Sequence, residues 1–162
     1  MGDQIYNGKH LRQNRYSLVG RAYMVTTCCD YRKPVFRNVK LGKLLVDELR
    51  RSDTEFRTYT YAYVVMPDHL HWLFQLLPRN SLSSVVRRVK GRSAYRLNQF
   101  VGRTGAIWQP GFHDRLIRAE ESLEVVDNYV IHNPVRAGIV TAVDEYPLWD
   151  VRWERCGQPI RG

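Results

Sequence analysis

The 162-residue sequence has no apolar run that approaches the roughly 18 residues needed to cross a membrane. Its N-terminal segment also lacks the apolar core of a secretory signal. Only three cysteines are present, and no pair has the Cys-x-x-Cys spacing, which disfavours both a disulfide framework and a cysteine zinc cluster. We therefore expect a cytoplasmic protein without a membrane partner.

Acidic residues are absent from a long central stretch, between Asp68 and Asp114. The whole chain has 25 Lys and Arg against 16 Asp and Glu, a net charge of +9. Charge of one sign repels itself unless something negative lies against it, so this distribution predicts a polyanionic partner. The basic residues of the stretch are Arg79, Arg87, Arg88, Lys90, Arg92, Arg96 and Arg103.

The order of predicted elements indicates an α+β fold. Periodicity and capping residues predict strands at 21–27, 56–66, 69–77 and 112–118, with helices at 41–51, 81–100 and 122–133. This order, β-α-β-β-α-β-α, is typical of a ferredoxin-like antiparallel sheet with helices on one face, here with an additional C-terminal helix. The length predicts one domain over 1–162, with a basic arm at 1–20 and a loop-like tail at 141–162 that packs back on the core.

Two histidines on the third predicted strand could share a task. Residues i and i+2 of a strand point to the same face, so His69 and His71 lie side by side about 7 Å apart. Two imidazoles at that separation can converge on one divalent cation. The alternative is two half-exposed histidines beside a turn, since two ligands alone do not make a metal site.

The last predicted helix carries a second candidate pair. Tyr129 and Asn133 are four residues apart and therefore lie on one helical face. Taken singly, Tyr129 could be an amphipathic packing residue with its hydroxyl in water, and Asn133 before Pro134 could be an ordinary helix-ending residue. The interpretation depends on whether the two pairs belong together.

Together, these residues resemble the single-tyrosine HUH transposases, and within them the REP-associated tyrosine transposases. The resemblance covers roughly residues 12 to 149. Many relatives have Gln where this chain has the shorter Asn133, which reaches the same metal only from a closer helix or through a water. The matching motifs are Met66-Pro-Asp-His69-Leu70-His71-Trp72, Tyr129-Val-Ile-His-Asn133, Asn133-Pro-Val-Arg-Ala-Gly-Ile-Val140, the basic aromatic segment from Arg15 to Thr27, and the segment from Trp108-Gln109 to Arg118.

The resemblance implies a site and a reaction. Tyr129 would be the catalytic nucleophile on the additional C-terminal helix, forming a 5′-phosphotyrosine intermediate. His69, His71 and Asn133 would bind a metal, and this mixed nitrogen and oxygen donor set suits Mg²⁺ or Mn²⁺. Asp68 would accept a hydrogen bond from a metal-bound imidazole, although a turn-forming aspartate is equally consistent.

The resemblance also implies the partner. The substrate would be single-stranded DNA beside a hairpin, of the repetitive extragenic palindromic (REP) type, which would place the protein at the nucleoid as a monomer or homodimer. A non-catalytic ferredoxin-like module that binds structured nucleic acid is the main alternative, and a phosphoesterase that uses water as nucleophile is the third. The predicted DNA contacts are Arg12, Arg15 and Tyr16 in the arm and Arg87, Arg88, Lys90, Arg92 and Arg96 on the basic helix.

Overall fold

The computed structural model describes residues 17–151 as a five-stranded antiparallel sheet with helices on both of its faces. The predicted order of strands and helices is confirmed, and so is the ferredoxin-like α+β fold. None of the helices in residues 17–151 is long and apolar enough to cross a membrane. The elements are β1 (Ala22–Cys28), α1 (Val39–Thr54), β2 (Thr58–Met66), β3 (His69–Leu76), α2 (Leu82–Val101), β4 (His113–Leu116), α3 (Leu123–Ile131), α4 (Asn133–Arg136) and β5 (Trp149–Val151).

Strand β3 lies at the centre of the sheet, whose order is β4-β1-β3-β2-β5. A tight turn at Pro67 and Asp68 joins it to β2 as an antiparallel hairpin, as the sequence predicts. On its other side β3 pairs with β1, with His71 opposite Thr26 and His69 opposite Cys28. Because both edges of β3 are paired, the register of its histidines is fixed from two sides.

Side chains of β3 alternate between the two faces of the sheet, and different helices cover the two faces. Leu70, Trp72 and Phe74 are buried on one face. There the indole Nε1 of Trp72 donates to Thr60 Oγ1 at 3.0 Å, and Thr60 Oγ1 donates to Asp53 of α1 at 2.9 Å. Helix α2 packs on α1. This face therefore carries the two long helices of the ferredoxin-like arrangement.

The opposite face, which carries the histidines, is covered by α3. This helix packs on β2, β3 and β5. The hydroxyl of Tyr61 donates to Gln75, which alternation places on the histidine face, at 3.1 Å. Burial, followed by the nearby Tyr59 and the charge of Asp127 on α3, raises the pKa of Tyr61. Helix α3 is thus the predicted additional helix, and it lies across the sheet from α1 and α2.

Two parts of the C-terminal region differ from the prediction. Helix α3 ends at Ile131 rather than near Asn133, which instead begins the short helix α4. Pro134 explains the break, because it has no amide hydrogen for α3 and is favourable in the first turn of a new helix. The tail also contains a strand, β5, which pairs with β2, where the sequence predicted only loop. The pattern missed it because three residues are too few to show alternation.

Part of the positive charge on α2 is paired with acidic side chains of the protein itself. Arg92 donates to Glu55 at 2.9 Å, and Arg96 donates to Glu48 at 3.1 Å and to Asp47 at 3.3 Å. The ammonium of Lys90 donates to the carbonyl oxygens of two loop residues that precede β4. Some of the negative groups that pair with this charge therefore lie on and just beyond α1. DNA contacts by Arg92, Arg96 and Lys90 stay predictions.

Glu55 links α1 and α2, because it follows α1 and accepts hydrogen bonds from Arg51 of α1, from Arg92 of α2 and from Arg57 in the turn before β2. Desolvation alone would raise the pKa of Glu55, but these hydrogen bonds and the charge of Arg92 outweigh it and lower the pKa to about 2. The carboxylate therefore stabilises the fold above its unfolded pKa of about 4.3 and loses this contribution as pH falls toward about 2.

The variant Glu55→Gln should have a free energy of unfolding about 1–2 kcal/mol lower at neutral pH, because the amide loses the charge that faces the guanidinium groups. In urea titrations this difference should be constant from about pH 6 to 8 and shrink between about pH 4 and 2. Glu120→Gln, at an exposed side chain, is the control. An equal loss of stability in both variants would contradict the role of Glu55.

Candidate active site

The imidazoles of His69 and His71 converge on one point of the sheet surface. Their Nε2 atoms are 3.1 Å apart, and the rings are perpendicular, with centroids separated by 4.8 Å. Both side chains are half-buried. The prediction that one strand face presents both rings together therefore corresponds to the observed geometry.

The outer nitrogen of each ring is already engaged. His69 Nδ1 is 2.6 Å from Asp68 Oδ1, and His71 Nδ1 is 2.9 Å from Thr26 Oγ1. Asp68 is itself held by Arg32, whose Nε donates to Oδ2 at 2.9 Å. Imidazoles that bind metals commonly have their second nitrogen hydrogen-bonded in this way, which fixes the ring and leaves the first nitrogen to face the ion.

The donor set fits a shared cation. Two lone pairs that face each other at 3.1 Å repel, so either a proton or a cation has to lie between the Nε2 atoms. Nitrogens that occupy neighbouring positions around one ion at about 2.1 Å are themselves roughly 3 Å apart. Residues 17–151 contain no cluster of three His, Cys, Asp or Glu side chains that could hold a metal. A third protein ligand in that part of the chain would therefore be of another type, such as the amide of Asn133.

The electrostatics keep the pair suited to this role. Burial, followed by the charges of His69, Arg136 and Arg32, lowers the pKa of His71 to about 4, so His71 is neutral near pH 7. Burial alone would raise the pKa of Asp68, but the hydrogen bond with His69 and the charge of Arg32 outweigh it and lower that pKa. Asp68 is therefore ionised near neutral pH and orients His69 as a charged acceptor.

Tyr129 and Asn133 lie at the junction of α3 and α4. Tyr129 is 62% exposed near the end of α3. The amide nitrogen of Asn133 donates to the carbonyl oxygen of Val130 at 2.9 Å. This bond fixes the amide group and leaves its oxygen as the atom that could face a cation. Arg136 of α4 stacks on the ring of Tyr129, with its guanidinium carbon 3.9 Å from the ring centroid.

The charge of Arg136 acts on one half of the site, and its side chain contacts the other. Its charge contributes to the lowered pKa of His71, while its side chain contacts Tyr129. Within residues 17–151, no hydrogen bond joins the histidines directly to Tyr129 or Asn133. The structure therefore brings His69 and His71 into contact with each other, and it brings Arg136 into contact with Tyr129.

Sequence reasoning missed three residues that contact the candidate site: Thr26, Arg32 and Arg136. Thr26 bonds His71 from a strand 45 residues earlier in the chain, and no local pattern indicates such a contact. In the sequence, Arg136 stands out only as one residue of the motif from Asn133 to Val140. Its position two residues after Pro134, at the end of the short helix α4, is the signal that could have singled it out.

The residues predicted to contact DNA differ in where they lie and in whether acidic side chains pair with them. Arg12, Arg15 and Tyr16 lie outside the described residues. On α2, Arg88 approaches Glu55 at 3.4 Å, whereas Arg87 is exposed and makes no ion pair with any described residue. These positions leave Arg87 as the basic side chain of α2 most available to a phosphate.

Strand β4 adds two polar side chains to the histidine face. His113 pairs with Thr26 and Arg115 with Met24, so both point to the same side of the sheet as His71. Both are exposed, and Arg115 forms an ion pair with Glu121. The pairing of His113 with Thr26, which itself bonds His71, places His113 two strands away from the candidate site.

The sequence profile of the family described as "Transposase IS200 like" matches residues 17–133. The chain therefore belongs to this family of transposases. A central hairpin with paired histidines and a tyrosine on the later helix α3 thus occurs here in a member of this family.

Within this class, the chain is similar to REP-associated tyrosine transposases, which confirms the resemblance drawn from its motifs. It is 31% identical over 99 residues to a Haemophilus influenzae protein that carries this assignment (54% of this chain, 56% of the relative), and 33% identical over 90 residues to the Escherichia coli protein of that name (54% and 50%). The chain thus spans about half the length of these curated relatives.

The fold has a solved counterpart. A REP-associated tyrosine transposase bound to a REP hairpin superposes with a TM-score of 0.71, covering 91% of this chain and 87% of that one. The two chains are 23% identical, so this similarity concerns the fold.

The variant Asp68→Asn should bind Mn²⁺ about 10–100-fold more weakly than the parent, because an amide is a poorer acceptor for the Nδ1 hydrogen that orients His69. The affinity is measured without DNA by electron paramagnetic resonance, in which the signal of free Mn²⁺ decreases as the protein binds the ion. Asp144→Asn, at an exposed aspartate, is the matched control. Unchanged Mn²⁺ affinity in Asp68→Asn would show that Asp68 serves only the turn.

Proposed function

We propose that this protein is a metal-dependent endonuclease and strand transferase that cuts single-stranded DNA with Tyr129, next to hairpins of the REP type. The observation that carries the proposal is the 3.1 Å approach of the two histidine Nε2 atoms, with both outer nitrogens held by Asp68 and Thr26. Membership of the transposase family supports a reaction on DNA.

In the proposed reaction, the phenol oxygen of Tyr129 attacks the phosphorus of the scissile phosphodiester. A bond forms between that oxygen and phosphorus, while the bond from phosphorus to the 3′ oxygen breaks. The 3′ oxygen leaves with a proton as a free hydroxyl, and the 5′ phosphate remains on the tyrosine. Attack by the 3′ hydroxyl of another strand reverses these steps and joins the two strands.

His69, His71 and Asn133 are the residues that would hold Mg²⁺ or Mn²⁺. When bound, the cation would supply positive charge that neutralises the scissile phosphate. The chain itself supplies fixed orientation, because Asp68 and Thr26 hold the two rings. The exposed ring of Tyr129 is accessible to a DNA strand at the surface.

The proposed substrate follows from the relatives and from charge. A structural neighbour of this chain binds a REP hairpin. In this chain, Arg87 lies one helical turn from Lys90, which bonds the carbonyl oxygens of Gln109 and Gly111 just before β4. Arg87 is therefore on the side of α2 that faces the β4 edge, where a duplex stem could lie while its single-stranded flank turns toward the histidine face.

The variant Tyr129→Phe should form no covalent protein–DNA adduct and should bind a hairpin oligonucleotide with unchanged affinity, because it lacks only the attacking oxygen. Adducts are detected by denaturing gel after incubation of labelled hairpin DNA with Mg²⁺ or Mn²⁺. The control is Tyr95→Phe, since Tyr95 is 64% exposed and matches Tyr129 at 62%.

Two outcomes separate the alternatives. If the parent protein binds the hairpin but forms no adduct with any divalent cation, the protein is a non-catalytic nucleic-acid-binding module. If Tyr129→Phe still cleaves the DNA, water is the nucleophile and the protein is a metal-dependent phosphoesterase. Either result contradicts the tyrosine mechanism.

The variant Arg87→Ala should weaken hairpin binding and reduce the slope of log affinity against log salt concentration by about 1, because one phosphate contact is lost. Fluorescence anisotropy at several salt concentrations measures both quantities. Arg50→Ala, at an exposed arginine of α1, should leave the slope unchanged. An unchanged slope in Arg87→Ala would place the hairpin elsewhere.

A further inference from the structure

Arg136 makes two contacts with Tyr129 from a different helix. Its guanidinium carbon lies 3.9 Å from the centroid of the tyrosine ring, and Nη2 donates a hydrogen bond to the carbonyl oxygen of the same residue. One rigid planar group therefore contacts both the ring and the backbone of Tyr129. The two residues are seven positions apart, and α3 ends and α4 begins between them.

Tyr129 needs such a contact because the core does not hold its ring. The side chain is 62% exposed, whereas its neighbour Val130 is fully buried. Tyr129 also lies in the last turn of α3, where carbonyl oxygens lack the usual helical donors. A cation at this end interacts favourably with the helix dipole, and a guanidinium within about 6 Å of an aromatic centroid is attracted to the ring.

We propose that Arg136 is a positioning residue that holds the ring of Tyr129 in the orientation from which its hydroxyl attacks DNA. This inference rests on the proposed function, because it takes Tyr129 as the nucleophile. Arg136 acts through two contacts with Tyr129 and requires no contact with the substrate. The break at Pro134 is what allows the chain to turn back and place this side chain over the ring.

Two variants separate the contributions of the guanidinium. Arg136→Lys keeps the positive charge but loses the planar group that contacts ring and carbonyl together. Arg136→Met keeps an unbranched apolar stem and loses the charge and the donors. If the planar guanidinium and its two contacts hold the ring of Tyr129, the ring is less ordered in both variants. Arg136→Lys keeps part of the attraction between the positive charge and the ring.

The first measurement needs neither metal nor DNA. The protein is labelled with 3-fluorotyrosine, and the ¹⁹F resonance that disappears in Tyr129→Phe is assigned to Tyr129. In Arg136→Met this resonance should shift and become narrower, because the ring loses its stacked guanidinium and moves more freely. Arg103→Ala, at another exposed arginine, should leave the resonance unchanged. An unchanged resonance in Arg136→Met overturns the inference.

The second measurement separates positioning from DNA binding. At saturating hairpin concentration, the single-turnover rate of adduct formation should fall about 100-fold in Arg136→Met, since misplacement of a reacting group by about 1 Å has this effect. Hairpin affinity should change less than about threefold, because no phosphate contact is lost. For the same reason the slope of log affinity against log salt concentration should stay the same. Arg136→Lys should have an intermediate rate.

Three outcomes would overturn the inference. A parent-like rate in Arg136→Met means that the ring needs no arginine. A loss of affinity with a parent-like rate at saturation makes Arg136 a phosphate contact. A lowered melting temperature, with the rate restored on cooling, makes it a stability residue. A parent protein that forms no adduct contradicts the proposed function instead, whereas the fluorine measurement still tests the ring contact.

Discussion

The hydrogen bonds on the outer nitrogens of His69 and His71 are the constraint on which the candidate site depends. Without Asp68 and Thr26, each imidazole could rotate, and two basic nitrogens would not remain 3.1 Å apart. The sheet supplies these partners at no extra conformational cost, since Asp68 forms the hairpin turn and Thr26 lies directly opposite His71 in the register. The geometry of the candidate site is thus a consequence of strand pairing.

Helix α2 shows that positive charge in a stretch without acidic residues can be paired with carboxylates from a distant part of the same chain. Arg92 and Arg96 face Glu55, Glu48 and Asp47, which lie 37 to 49 positions away in the chain. A run without acidic residues is therefore not in itself a binding surface. What remains for a polyanion is the part of the charge that the protein leaves exposed.

Local signals in the sequence were sufficient for most of the fold. The turn between β2 and β3, the alternation around His69 and His71 and the starts of α2 and α3 all depend on neighbours within a few positions, and the structure has each of them. Features that depend on distant partners were not predictable. They include the bond from Thr26 to His71, the strand β5 and the ion pairs of α2, because no short-range pattern encodes which segments meet.

The β2–β3 hairpin has a consequence for how the site assembles. Its contacts join neighbouring segments of the chain, so it can form early in folding, together with the turn that holds Asp68 against His69. Helix α3 reaches it only through long-range packing, almost 60 residues after His71. Local opening of α3 and α4 would then withdraw Tyr129 while leaving the paired imidazoles in place, because the hairpin does not need these helices for its own pairing.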